Sequence, residues 1–355
     1  MKHALRTYCL LLLCAVFAQG CALIDDDLSV CGTDFELELQ MQLVTNLDLE
    51  LETTLSAQTD IYTRTILRNY FSHIFSDRAH DISIGFYSSN GEELVHSIHD
   101  VIDANQSTYT FYLPKNNYYA IALANLDENE VAILADSANS RLTRLITPPQ
   151  DTLPTQRTGL FTVEREIYVQ DTADQKIDLV LHMANSAFAL VIDTASIPFD
   201  SMWAYLDGTS DGLIIRDSLY TYNKAKTVVM EEIKEEAQSA AGRRNSGTTE
   251  LRMSAPQEET DSVRYYLFGC ACFPSKDEPD GYGNYYEAKV YVKLLDGTIT
   301  QTVLTLRQPL RAAELKIVRL VLQIDGSVEP TQGSEVGASV TLDWKEGTEF
   351  NPIII

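Results

Sequence analysis

Positive charge is scarce in this chain: 27 Lys and Arg stand against 51 Asp and Glu in 355 residues, a formal net charge of −24. A surface this acidic repels phosphate backbones, which argues against nucleic acid as a partner. Adhesion to acidic lipid through a polybasic patch fails for the same reason. Long apolar runs are almost missing as well. The one present, Leu10 to Phe17, follows Lys2 and Arg6 and precedes Ala18, Gln19 and Gly20. It is too short to span a bilayer and has the layout of an export signal covering residues 1–20.

Histidine is rare and badly placed for catalysis. The six histidines are residues 3, 73, 80, 96, 99 and 182. "GTSDG", residues 208–212, matches the nucleophile elbow of hydrolases, whose order Ser, Asp, His needs a histidine after the serine. Every histidine precedes Ser210, and the following "LIIRDSLY" reads as a strand where the elbow wants a helix, so the stretch is expected to be a turn. Asp207, Asp211 and Gly212 also sit at calcium-loop spacing. Thr209 and Ser218 occupy positions where that loop wants carboxylates, Ser218 standing where a bidentate Glu belongs. His96 and His99, three apart on a strand, point to opposite faces and make no zinc pair. Phosphate-cradling glycine runs are absent. No cofactor, metal, small-molecule substrate or enzymatic activity is expected.

Cysteine is sparse, and two of the six, Cys9 and Cys14, lie in the export signal. Cys21 follows it directly. Ala18 and Gly20 would satisfy ordinary cleavage, but a cysteine just after the site also makes the bacterial lipoprotein pattern, in which its thiol is acylated and becomes the first mature residue. Gln19 departs from the strict motif. The run "ALIDDD" then reads as a polar tether, residues 21–32. Export permits disulfides. With Cys21 acylated, Cys31, Cys270 and Cys272 remain, so at least one is unpaired within the chain. Cys270 and Cys272 share one face of a strand with Cα atoms about 6.5 Å apart, near the limit for a bridge. A bridge from Cys31 to one of them is the better pairing, and two buried free thiols are the alternative.

What is abundant is alternation. "DFELELQMQLV", residues 34–44, alternates apolar and polar side chains as a half-buried strand does. Residues 49–76 carry Tyr62, Ile66, Leu67, Tyr70, Phe71, Ile74 and Phe75 at helical spacing, which predicts one amphipathic helix. Afterwards the period returns to two. Asn90-Gly91 and Asp296-Gly297 mark two-residue hairpins, and residues 232–260 read as a solvated loop. Near Ala184-Asn185-Ser186 the register changes. The pattern predicts a mainly β chain of two antiparallel sandwich domains, residues 33–185 and 186–355, with the helix inserted in the first.

The cysteine followed by "IDDDLSVCG", then "LVTNLDLELETTLS", "FSDRAHDISIGFY", "DANQSTYTFYLP", "TGLFTVERE", "HMANSAFALVID" and "VGASVTLDWKEGTEFNP", resembles the fimbrial anchor lipoproteins of Bacteroidota, the minor fimbrillin-associated subunits. That resemblance implies two tandem transthyretin-like sandwiches. It implies attachment to the outer membrane through a lipid on Cys21, with fimbrial shaft subunits as partners and a role in seating the shaft and limiting its length. Asp25, Asp26 and Asp27 resemble a surface-export signal. Shafts of this kind grow by strand complementation, and the strand at 34–44 is the candidate that keeps the chain's own groove filled. The competing reading is a surface glycan-binding lipoprotein whose Trp203, Tyr266, Tyr282 and Tyr286 stack on sugars, unless those rings are core or strand-edge residues.

Overall fold

A computed structural model describes residues 34–44, 61–75, 79–88, 93–101, 108–134, 139–171, 175–234, 265–331 and 336–344. The first half supplies β1 (Asp34–Val44), α1 (Ile61–Ile74), β2 (Asp81–Ser88), β3 (Leu94–Val101), β4 (Thr108–Pro114), β5 (Asn116–Ala124), β6 (Ala132–Leu134), β7 (Arg144–Ile146), β8 (Thr152–Leu153), β9 (Phe161–Val169) and β10 (Gln175–Met183). Seven of these strands form one sheet in the order β3-β2-β5-β9-β10-β1-β4.

The second half supplies β11 (Ser186–Asp193), β12 (Ser201–Thr209), β13 (Gly212–Ile214), β14 (Leu219–Thr221), β15 (Lys226–Glu232), β16 (Tyr265–Cys272), β17 (Tyr286–Lys293), β18 (Ile299–Leu306), β19 (Leu315–Leu322), β20 (Val328–Pro330) and β21 (Val336–Trp344). They build a sheet in the order β20-β19-β11-β16-β15-β12-β17-β18-β21, with β8 added beside β15. This sheet curls until β20 meets β21. The fold is mainly β with two sandwich-like units, as the alternation predicts. Most pairs are antiparallel, but β1 with β10, β11 with β19 and β15 with β8 run parallel.

β11 and β16 of the second sheet face a core on each side, which is why their sequences do not alternate. Along β11, Phe188, Leu190 and Ile192 enter the core of the second unit, while Ala187, Ala189 and Val191 enter the first. β16 divides the same way, with Phe268, Cys270 and Cys272 on one side and Leu267 and Ala271 on the other. Helix α1 fills the space between the two sheets. Its Ile66, Leu67, Phe71 and Ile74, at three- and four-residue steps, join the first core. The expected helix start, residues 49–60, lies outside the described residues.

Small residues let α1 approach. A Cβ on Gly269 would sit 2.6 Å from Tyr70 Cε1 and 2.8 Å from Ile233 Cδ1, so the bare backbone of β16 is what seats the Tyr70 ring. The Tyr70 hydroxyl lies 3.2 Å from both the Gly269 carbonyl and Glu231 Oε2. Burial, reinforced by the Glu231 charge, pushes that phenol far above its ordinary range.

A third sheet, β14-β13-β7-β6, takes two strands from each half. Its core joins Leu145 and Val131 to Leu213, Ile215 and Phe273. Buried Lys226 adds a tie, donating from Nζ to the carbonyls of Pro148 and Gln150 at 3.0 and 2.7 Å. The chain leaves the first sheet at Met183 and enters the second at Ser186, and the fully buried Asn185 is fixed between them. Its Oδ1 accepts from the Leu160 amide, and its Nδ2 donates to Gln156 Oε1 and the Thr158 carbonyl.

The Asp296-Gly297 hairpin differs from the two-residue turn expected. The Gly297 amide donates to the Leu294 carbonyl, the Leu294 amide donates to the Thr298 carbonyl, and Gly297 has φ +87°. This is a three-residue loop closing on a left-handed glycine. Asn90-Gly91 lies outside the described residues, although β2 and β3 pair as the hairpin predicts.

Candidate functional site

The strand at 34–44 begins the described chain and lies inside the first sheet. One edge of β1 pairs parallel with β10, from Leu37 opposite Gln175 to Val44 opposite His182. Its other edge pairs antiparallel with β4, from Asp34 opposite Pro114 to Gln40 opposite Thr108. Leu37 and Leu39 are fully buried and face the core with Phe111 and Tyr109, their cross-strand partners on β4. Phe35, Met41 and Leu43 pack half-buried on the same core. On the outer face, Glu38 pairs with Lys176 of β10 at 3.0 Å. β10 and β4 have no pairing with each other. β1 alone joins them, and its absence would leave a slot one strand wide, about two strand spacings or 9.5 Å.

Ser210 is buried in the turn between β12 and β13, its Oγ 2.6 Å from the Gly212 carbonyl and 2.9 Å from the Thr221 carbonyl while accepting from the Gly212 amide. It locks a turn, as expected. Asp207 accepts from Thr227 Oγ1 and Lys289 Nζ, and Asp211 accepts from Thr221 Oγ1 and the Lys224 amide. Protein donors thus occupy both carboxylates. Among the described residues no group of His, Cys, Asp and Glu is arranged to hold a metal.

Cys270 and Cys272 are free and buried on one face of β16. Burial and the adjacent Cys272 sulfur hold the Cys270 thiol well above its ordinary range. Cys31, Cys21 and Asp25 to Asp27 lie outside the described residues. So do residues 235–264, which make up most of the expected solvated loop. No helix among the described residues is long and apolar enough to cross a membrane.

The four aromatics considered for sugars do not form one platform. Tyr286 is a core residue at 3% exposure. Tyr266 meets Phe199 edge-on at 5.4 Å. Trp203 stacks on Tyr291, centroids 5.6 Å apart and 4° from parallel. Tyr282 is 91% exposed, on a turn held by Asp280.

One constellation has no signal in the sequence. His99 and Ser83 face each other across β3 and β2, with Ser83 Oγ 2.7 Å from His99 Nδ1. Asp127 lies 3.4 Å from the other ring nitrogen. The residues are 16 and 28 positions apart, and only strand pairing brings them together. His96 turns to the opposite face, toward Phe86 and Phe111, as the three-residue spacing requires.

The model of the fimbrillin-A associated anchor proteins Mfa1 and Mfa2 matches residues 47–228. The chain belongs to this family. Membership carries a fimbrial, cell-surface association and fimbrial subunits as partners. Among solved structures, a candidate adhesin from Bacteroides thetaiotaomicron is 10% identical with a TM-score of 0.50, over 88% of this chain and 98% of that one. That likeness concerns the fold. The fimbrial anchor protein Mfa2 from Porphyromonas gingivalis is 10% identical (TM-score 0.45; 87% and 98% covered), and the tip fimbrial protein Mfa3 from the same organism is 11% identical (TM-score 0.40; 88% and 100% covered). No curated protein matches the chain.

Proposed function

We propose that this protein is a non-catalytic, lipid-attached anchor that seats the base of a fimbria on the outer membrane and ends the shaft there. Residues 1–20 are removed, Cys21 takes the lipid, and Asp25, Asp26 and Asp27 direct the product to the cell surface. The twelve residues between Cys21 and Asp34 reach at most about 40 Å when extended, enough to hold the body clear of the lipid headgroups. Residues 33–185 and 186–355 are its two sandwich units, joined by the core around α1.

Family membership supports the anchor role, and the place of β1 supports the termination mechanism. A subunit whose slot between β10 and β4 is filled by its own strand has no room there for a strand from a neighbour. Chain growth stops at such a subunit, and a shaft attached to it elsewhere is held by the lipid.

The test is to replace Cys21 with Ala, fractionate the cells and follow both this protein and the fimbriae. The variant is expected to leave the membrane fraction, with intact fimbriae appearing in the medium. Unchanged membrane attachment would remove the basis of the anchor role.

A further inference from the structure

Between the outer face of the first sheet and the small bridging sheet lies a cavity of about 300 Å³, open on one side. An engineered cavity half that size accommodates benzene, so this one has room for about ten non-hydrogen atoms. Its walls are aliphatic: Leu94, Ile121, Leu123 and Ile133. Gly85 forms part of the floor, and a Cβ there would meet only Leu94 Cδ1 at 3.4 Å and Tyr87 Cε2 at 3.6 Å. A bare stretch of central strand therefore leaves room that any larger side chain would take.

The polar groups of the cavity are not equivalent. At one side the Tyr87 hydroxyl is paired with Thr143 Oγ1 at 2.7 Å and fully buried. At another, Ser83 and His99 meet. The Asp127 carboxylate can only accept, so it places the proton of a neutral His99 on Nε2. Nδ1 is then the acceptor of a hydrogen bond that the Ser83 hydroxyl donates, which leaves the Ser83 oxygen lone pairs for a ligand. With Asp127 nearby, this end accepts a hydrogen-bond donor and repels a carboxylate.

We propose that this cavity is a binding site for a small apolar molecule, of the size of a fused two-ring system, carrying one hydrogen-bond donor that meets Ser83. The site is separate from β1 and independent of the anchor role. Indole is a suitable probe, with indene as its partner lacking the N–H and benzoate as the charged control. Calorimetric titration of the full chain is expected to show indole binding more tightly than indene and no binding of benzoate. Ser83→Ala should weaken indole about two- to tenfold, the worth of one neutral hydrogen bond, while leaving indene unchanged. Gly85→Val should abolish binding of both, with the native circular dichroism spectrum retained. Absence of indole binding, binding undiminished in Gly85→Val, or a preference for benzoate would each overturn the proposal. Equal losses of indole and indene in Ser83→Ala would overturn the assignment of the donor to Ser83.

Discussion

Truncating the two buried leucines of β1 isolates what that strand contributes. Leu37 and Leu39 are both fully buried in the first core. Leu→Ala at such a site costs about 2–5 kcal/mol, the lost transfer energy plus the cavity left behind. The two share one face two residues apart, so their effects are coupled, and the double variant is expected to lose about 4–8 kcal/mol. That is a large fraction of the 5–15 kcal/mol that holds a typical domain. Gln42→Ala, on the exposed face of the same strand, should stay within about 0.5 kcal/mol. In thermal unfolding each single Leu variant should melt about 4–20 °C lower and the double variant lower still. If the double variant melts with Gln42→Ala, β1 is not an integral strand and the termination mechanism built on it fails.

Other consequences can be checked separately. Gly269→Ala should push Tyr70 or Ile233 aside at a cost of about 1–3 kcal/mol, and because the core spans both halves, urea unfolding should shift as one transition. Residues 186–355 expressed alone would expose Ala187, Val191, Leu267 and Leu315, and should bind a hydrophobic dye that the full chain does not. Ser210→Ala should cost about 1–3 kcal/mol by leaving turn groups unpaired, with no change in hydrolysis of a p-nitrophenyl ester over background. Asp325 accepts from the Ser327 side chain and amide at 2.6 and 3.0 Å, which lowers its pKa. Its folded value lies below its unfolded one, so its contribution is present above about pH 4 and is lost as pH falls through the folded value. Asp325→Ala should therefore show a shallower loss of melting temperature between pH 5 and pH 2 than the parent chain.

Much of this fold is legible from side-chain period. β1 occupies residues 34–44 as the alternation of Phe35 to Leu43 predicts, and the stripe from Ile66 to Phe75 marks the helix face. The partners of those elements are not legible. Nothing in "DFELELQMQLV" says that it lies parallel to β10, because pairing depends on where the chain returns. The shared core escapes for a related reason. β11 and β16 carry apolar side chains on both faces, a composition that fits any buried strand, and only the packed structure shows that Gly269 is bare so that Tyr70 of α1 can seat there. Ser83, His99 and Asp127 come from two strands and the turn after β5, so spacing along the chain has no means of announcing them.

In the termination mechanism, β1 fills the slot a fimbrial strand would otherwise enter. A protease site placed directly after Val44 allows residues 34–44 to be cut free and washed out under mild denaturant. Surface plasmon resonance can then compare fimbrial subunits purified from the same cells on the intact and the excised protein. Excision is expected to lower stability and open a new binding mode, with which a peptide of residues 34–44 competes. Identical binding by both forms, with no loss of stability, would contradict the mechanism.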